Sequence, residues 1–370
     1  PTTPERGSEP YSVGRGVGGS SAVNGLLAQI DPTDPALGGV SVAAEVEAAL
    51  GRVAVPRALT PVEELGDLDQ ALHAAGVADL VPLHRAGGRR ADLAGALLGD
   101  HPTLEIRTGC VVDRVESRGS SGATVVTAAG ERLTASAAVC CAGAFGSPAI
   151  LQRSGLGRHV GDHLQDHPSV ALDLRLGVRR RVSDLPTATT VRAGPIEVVP
   201  LGHTGAPVAP DAALLVALME PTGAHGSVRI VSDDPADPPV ARFESFAERE
   251  DLDALAVGVR AAGDLLHHPE VRALLGDEVR AMAGDRPLDD RDDDELRSWI
   301  RTTPGAHRHA SASCGIGRTL DADGRVIGTD AVFVADASAF PRIPRTGTHL
   351  PTLVQAERLV WRWLHGMMRR

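Results

Sequence analysis

Two short apolar runs do most to limit the folds open to this chain: residues 137–141 (AVCC preceded by Ala) and 333–335 (FVA). Runs this short, with no polar alternation, read as strands covered on both faces, which requires packed layers above and below. The first leads at once into Gly143, Ser147 and Pro148, so a strand–loop–helix unit is expected, with Ser147 as N-cap and Pro148 at the first helical position. Residues 168–245 behave differently. Short β-like runs alternate there with turns, as an antiparallel sheet requires.

Helical patterns cover 42–50, 67–75 (Leu68, Leu72 and Ala75 on one face), 91–98, 247–266 and 350–365, and 20–30 could start another. Further strands are expected at 104–107 and 111–116, and a hairpin of 123–127 with 131–134 turns at Ala129-Gly130. A length of 370 residues implies two domains or one large composite one. Aromatic residues are only 2 % against 42 % apolar, so the core must be built from Ala, Val and Leu. The chain begins at Pro1 on a Pro/Gly/Ser-rich loop, and so reads as a piece whose beginning is missing.

A net charge of −11 argues against a nucleic-acid binder, which needs a basic surface to displace counterions. The acidic run at 289–295 reads as a solvated loop and helix N-terminus, where carboxylates suit the dipole, and not as a metal site. Cys110, Cys140, Cys141 and Cys314 have neither CxxC spacing nor the density of a disulfide scaffold. A reducing cytoplasm is therefore expected, with peripheral membrane association left open. No apolar stretch reaches the roughly 18 residues of a membrane span, and no signal peptide opens the chain.

Three constellations carry chemistry. Residues 14–25 (GRGVGGSSAVNG) cluster glycines that let a backbone approach a phosphate, although no strand precedes them and a flexible surface loop would look the same. Residues 143–157 (GAFGSPAILQRSGLG) follow the first buried run and precede VGDHLQDHP at 160–168. Near the end, His307, His309, Ser311 and Ser313 lead to Gly315-Ile316-Gly317, then Asp336-Ala337-Ser338 and Thr346-Gly347-Thr348-His349-Leu350-Pro351-Thr352. A lone histidine is usually structural. Two, each beside glycines and close to a strand–helix junction, point further toward acid–base work.

In this order the segments resemble the glucose-methanol-choline (GMC) oxidoreductases. Residues 143–157 fit that family's second signature, 14–25 its Gly-rich flavin loop and 160–168 its VGxxLQDHP segment. Residues 309–317 are similar to its HPxGTxxMG segment, 336–338 to DAS and 347–352 to NTNAPT. The resemblance implies an FAD-binding, Rossmann-like α/β domain (residues 1–30, 101–168 and 305–370) interleaved with a mainly antiparallel α+β substrate domain (31–100 and 169–304). His309 matches the catalytic base and His349 its partner, which is His or Asn in the family. A neutral imidazole can take the hydroxyl proton near neutral pH while flavin supplies the redox chemistry. Gly18, Gly19, Ser20 and Asn24 would line the flavin, Val111 and Val112 the adenine, and Asp336 and Ala337 the pyrophosphate and ribityl chain. The helix from Thr348, with Pro351 in its first turn, would point its positive end at the flavin. Val23 stands where some members carry the histidine that links FAD covalently, so FAD is expected to be non-covalent.

The sequence departs from the family's pattern in three ways, one being that residues 31–100 and the region after Pro168 are compact for the family. The N-terminal GxGxxG βαβ unit and its acidic ribose ligand are absent, so the part that grips the ADP half of FAD is expected to be missing. Arg308 precedes the base where an aromatic is common. The alternating spacing also leaves His307 on the same side as His309, and distance to Gly315-Ile316-Gly317 favours the latter. The compact substrate region, the HxSxS segment and the Gly-x-His ending are similar to mycofactocin-associated members. The partner would then be a small alcohol or a reduced redox cofactor, with a quinone, the respiratory chain or oxygen as acceptor. Two other readings stay open: a lyase of the same fold with redox-silent FAD, and a degenerate binding protein without FAD.

Overall fold

The computed structural model describes the chain apart from residues 1, 4–6, 9, 88, 92, 100, 176–184, 186, 203–211, 224, 304, 306 and 368–370. Its centre is a seven-stranded sheet with every neighbouring pair antiparallel. The order is Arg286–Pro287, Arg280–Ala283, Ser169–Arg175, Ala213–Leu218, Ile196–Leu201, Thr189–Ala193 and Asp79–Leu80. The mixed strand-and-turn pattern of 168–245 anticipates most of this sheet. Leu214, Val216 and Leu218 share one core with Leu252, Leu255, Val259 and Ala262 of helix Arg249–Asp264, whose apolar residues recur at helical spacing. Gly258 lets that helix sit close: a Cβ there would lie 2.8 Å from the Ile196 side chain.

A smaller α/β unit packs beside it. Ala138–Cys140 pairs in parallel with Val332–Val334, although the two segments are far apart in sequence. Helix Gly143–Arg153 follows the first of them, and the antiparallel strands Val112–Ser117, Ala123–Thr127 and Arg132–Ala135 form a three-stranded sheet alongside. Ala138, Cys140, Ile150, Leu151, Val332 and Val334 share one core with Val115 and Ala123. A third core joins helix Ala43–Arg52 to the C-terminal helix His349–Met367 through Val46, Ala49, Leu350 and Val354. The acidic run does start a helix: Asp292 and Glu295 form a capping box on Asp293–Thr302. No helix among the described residues is long and apolar enough to cross a membrane.

Four local expectations need correction. Residues 20–30 form no α-helix, only one 3₁₀ turn at Gly19–Ala22, because the Asn24 side chain takes the Leu26 N–H at 3.2 Å and draws the backbone out of helical pairing. Residues 104–107 are not in a strand; Leu104 and Ile106 are exposed and Arg107 is held by Glu105 and Glu131 instead. Ser147 and Pro148 lie inside their helix, which starts at Gly143 because Asp336, from beyond the other parallel strand, accepts the Gly143 N–H at 2.9 Å. Finally, strand Ala138–Cys140 is not covered on both faces, since Val139 is 45 % exposed.

Candidate active site

The site is built around a turn whose backbone is held in an unfavourable shape. Arg308 and Ala312 both have positive φ (62° and 66°), a left-handed conformation that costs non-glycine residues and persists only where the surroundings enforce it. The enforcement is visible. Ser311 and Gln165 exchange both backbone hydrogen bonds (2.9 and 3.1 Å), and the Ala312 N–H donates to the Ala337 carbonyl at 3.0 Å. Asp166, buried, accepts from the backbone N–H of both His167 (2.8 Å) and His309 (2.9 Å) through one oxygen and from the Tyr11 hydroxyl (2.8 Å) through the other. Tyr11 in turn accepts the Ala310 N–H at 3.1 Å. This lattice gathers three imidazoles, with centroids 4.2 Å apart for His307 and His309 and 5.1 Å for His167 and His309.

The rings titrate far from their usual range. Burial, then repulsion from the His307 and His167 rings, holds the His309 pKa well below 6.5. Burial first, with His307 next, brings His167 down to about 3; burial alone brings His307 to about 4. Asp166 is pushed the other way by its burial, up to about 6, despite the donors that partly offset it. All three imidazoles are therefore neutral at neutral pH, the form in which a histidine can accept a proton.

The other wall comes from the start of the C-terminal helix. A Cβ added to Gly347 would lie 3.7 Å from both Cε1 and Nε2 of the His309 ring, so the backbone of 347 faces that edge without a side chain between. Two residues on, His349 opens the helix, and its ring meets His84 edge-on at 4.8 Å between centroids. Burial, then His84 and Arg90, lowers its pKa to about 4. The structure thus brings His349 and the His309 edge to the same stretch of chain around Gly347, with His167 and His307 as ring neighbours of one and His84 of the other. Nε2 of His84, Nε2 of His349 and Nδ1 of His307 are buried with no hydrogen-bond partner among the described residues. Each such orphan costs about 1–3 kcal/mol, and three together point to a polar ligand.

The expected flavin-side residues divide by what their atoms already do. Gly18 and Gly19 adopt positive φ (87° and 54°), and the Ser20 hydroxyl accepts the Gly14 N–H at 3.0 Å. The loop closes so tightly that a Cβ on Gly14 would lie 2.4 Å from the Gly19 carbonyl oxygen. Arg90 fastens it, donating to the Asn24 side chain (2.7 Å) and to the Asn24 and Ser21 carbonyls (2.6 and 3.2 Å). Asn24 is thereby engaged within the protein, while Val17 and Val23 are exposed. Val112 pairs with Thr127, and the neighbouring Val111 carbonyl accepts from Ala128 at 2.8 Å. The Asp336 carboxylate takes the N–H of Gly143 and Ser338 and both their neighbouring hydroxyls, Ser147 and Ser338. Its side chain is fully engaged in joining the two parallel-strand loops, and it presents Ala337 between them. The Thr348 carbonyl accepts the Thr352 N–H at 3.0 Å, leaving the N–H groups of His349 and Leu350 ahead of the first helical bond, with Pro351 in that turn. Left-handed glycines at 18 and 19 and a helix that starts at His349 are features that a dinucleotide's phosphates and flavin would need, so the residues present fit FAD.

Sequence reasoning assigned no role to His84, His167, Asp166, Tyr11 or Arg90. His84 and Arg90 lie in segments whose local pattern is unremarkable, and only their convergence in space gives them a part. Asp166 and His167 did stand in the LQDHP run, and the adjacent acid and imidazole were the one available signal.

Comparison with known proteins bears on the family and the fold. Two family models, both described as GMC oxidoreductase, match residues 66–169 and 221–356, which together span most of the chain. The chain belongs to the GMC oxidoreductase family. An uncharacterized GMC-type oxidoreductase of Rhodococcus erythropolis is 29 % identical over 313 residues, 75 % of this chain and 61 % of that protein. An oxygen-dependent choline dehydrogenase of Burkholderia lata is 27 % identical over 339 residues, 74 % of this chain and 58 % of that protein. The chain thus spans about three-fifths of the length of these GMC relatives. Among solved structures, pyridoxine 4-oxidase from Mesorbium loti superposes with a TM-score of 0.79 at 22 % identity, covering 96 % of this chain and 85 % of that one. A formate oxidase reaches 0.80 at 18 % identity, covering 97 % and 86 %. At such identities these two likenesses speak for the GMC fold alone.

Proposed function

We propose that this chain carries the catalytic residues of an FAD-dependent oxidoreductase acting on an alcohol CH–OH group, with His309 as base and His349 as its partner. One observation carries the reading. The His309 ring lies beside His307 and faces the backbone of Gly347, two residues before His349, and buried nitrogens of His307, His349 and His84 have no hydrogen-bond partner among the described residues. Bound FAD would supply the hydride acceptor. His309, neutral through burial, takes the hydroxyl proton, and His349 donates a hydrogen bond to the substrate oxygen. Gly18, Gly19, Ser20 and Asn24, the last held in place by Arg90, would line FAD from the loop side, and Val112 would meet its adenine end. Asp336 and Ala337 would serve the pyrophosphate and ribityl chain, and the helix start at Thr348 and Pro351 would stabilise the flavin. Residues 1–30, 101–168 and 305–370 make up the FAD-binding side, and 31–100 and 169–304 mostly the substrate side. FAD is held without a covalent link, since Val23 occupies the position of the linking histidine.

The substrate class is a small alcohol, or a reduced redox cofactor as for mycofactocin-associated members, with a quinone, the respiratory chain or oxygen accepting the electrons in the cytoplasm or at a membrane surface. The choline dehydrogenase among the relatives supports an alcohol. The test is anaerobic mixing of FAD-loaded full-length protein with primary and secondary alcohols. Bleaching of the flavin is expected, and His309→Ala should slow it by about 10²–10⁴-fold with FAD still bound. A near-normal rate in that variant refutes the base. A flavin that stays oxidised with every alcohol while a cyanohydrin is cleaved refutes the oxidation.

A further inference from the structure

We propose that His167 is a positioning residue that fixes the tautomer of His309 and so leaves the Nε2 lone pair of His309 as the base. The inference rests on the functional reading above but is argued from donors and acceptors alone. Nε2 of His167 lies 2.8 Å from the Pro344 carbonyl oxygen, which can only accept, so that nitrogen carries the hydrogen. A neutral imidazole has one N–H, so Nδ1 of His167 is a bare lone pair. It lies 2.9 Å from Nδ1 of His309, which must therefore be the donor. His309 has no second hydrogen to place. Its Nε2 is left unprotonated on the edge that faces Gly347.

Either alternative arrangement loses a buried hydrogen bond. Moving the hydrogen of His309 to Nε2 sets two lone pairs against each other at Nδ1. Moving that of His167 to Nδ1 as well restores the ring–ring bond but turns a bare nitrogen toward the Pro344 oxygen. A loss of that kind biases the equilibrium by roughly tenfold to a hundredfold. Burial and the repulsion of His307 keep both rings neutral, which is the condition for the argument. Asp166 supplies the register, because one of its oxygens holds the backbone N–H of both histidines. The order Pro344 carbonyl, His167, His309 is thus a directional chain of donors, each ring giving its hydrogen away from the site. An orienting partner that sets which imidazole nitrogen is free is a known requirement of histidine bases.

The experiment reads the tautomer directly. Nitrogen-15 NMR of the imidazoles in the full chain should show His309 with Nδ1 bonded to hydrogen and Nε2 unprotonated at neutral pH. In His167→Leu the preference should be lost and the two tautomers should mix; in His167→Asn, whose side-chain oxygen can accept from Nδ1 of His309, it should persist. Flavin reduction in the FAD-loaded protein should fall about tenfold or more in His167→Leu and recover most of that in His167→Asn, with substrate affinity unchanged in both. An Nε2–H form of His309 in the wild-type chain overturns the proposal, as does an unaltered tautomer and rate in His167→Leu. Should His167→Leu fail to fold, the wild-type spectrum and the Asn variant decide alone. Should no alcohol reduce the flavin, the oxidation reading fails while the spectrum still reports on the tautomer.

Discussion

Acid should destabilise this chain through His167, and by an amount the structure fixes. In the folded state the ring stays neutral down to about pH 3, because burial and the His307 ring oppose its charge. In the unfolded chain it takes up a proton near 6.5. Between those values the unfolded state binds more protons, so this contribution is whole above about pH 6.5 and drains away as the pH falls. At pH 5 the unfolded ring is about 1.5 units below its pKa, a loss of about 2 kcal/mol. Asp166 acts in the opposite sense. With its folded pKa raised to about 6, it keeps a proton that an unfolded aspartate near 3.9 would release, and returns about 1.4 kcal/mol by pH 5. His307 and His349, each lowered to about 4, add to the loss, so the net effect is destabilising. The assay is urea unfolding at pH 7.5 and pH 5 for the wild-type chain and His167→Asn. The variant should lose about 2 kcal/mol less than the wild type over that interval. Equal losses in the two proteins, or none in the wild type, would refute the argument that His167 is buried neutral.

Two further outcomes are expected. Gly347→Ala adds a Cβ at ordinary contact distance, 3.7 Å from the His309 ring, and needs no left-handed backbone, so unfolding free energy should change by less than about 0.5 kcal/mol. Flavin reduction should nevertheless fall by about tenfold or more, since the methyl stands in front of the proposed base; an unchanged rate places the substrate elsewhere. Acid-precipitated holoprotein should release its yellow colour into the supernatant, and colour kept in the pellet contradicts a non-covalent FAD at Val23.

How far the sequence could be read depended on the range of the interaction that shapes each element. Helix Arg249–Asp264 and the hairpin of Ala123–Thr127 with Arg132–Ala135 were legible because periodicity and a glycine turn are local. The start of helix Gly143–Arg153 was not. Ser147 and Pro148 look like a cap and a first residue, yet Asp336 supplies the partner for Gly143 from 193 positions away, and with that donor satisfied the helix begins five residues earlier, at Gly143 and not at Pro148. Residues 20–30 were misread for a different reason: a side chain two positions away competed with the helix for a backbone N–H. His309 and His349 could be proposed from the sequence because motif spacing carries them. The chain of donors behind His309 could not, because it runs through a carbonyl at Pro344 and a ring at position 167. A sequence can thus nominate which imidazole does the chemistry. Which of its two nitrogens is free is decided by contacts across more than 140 residues of chain, and that choice separates a base from a bystander.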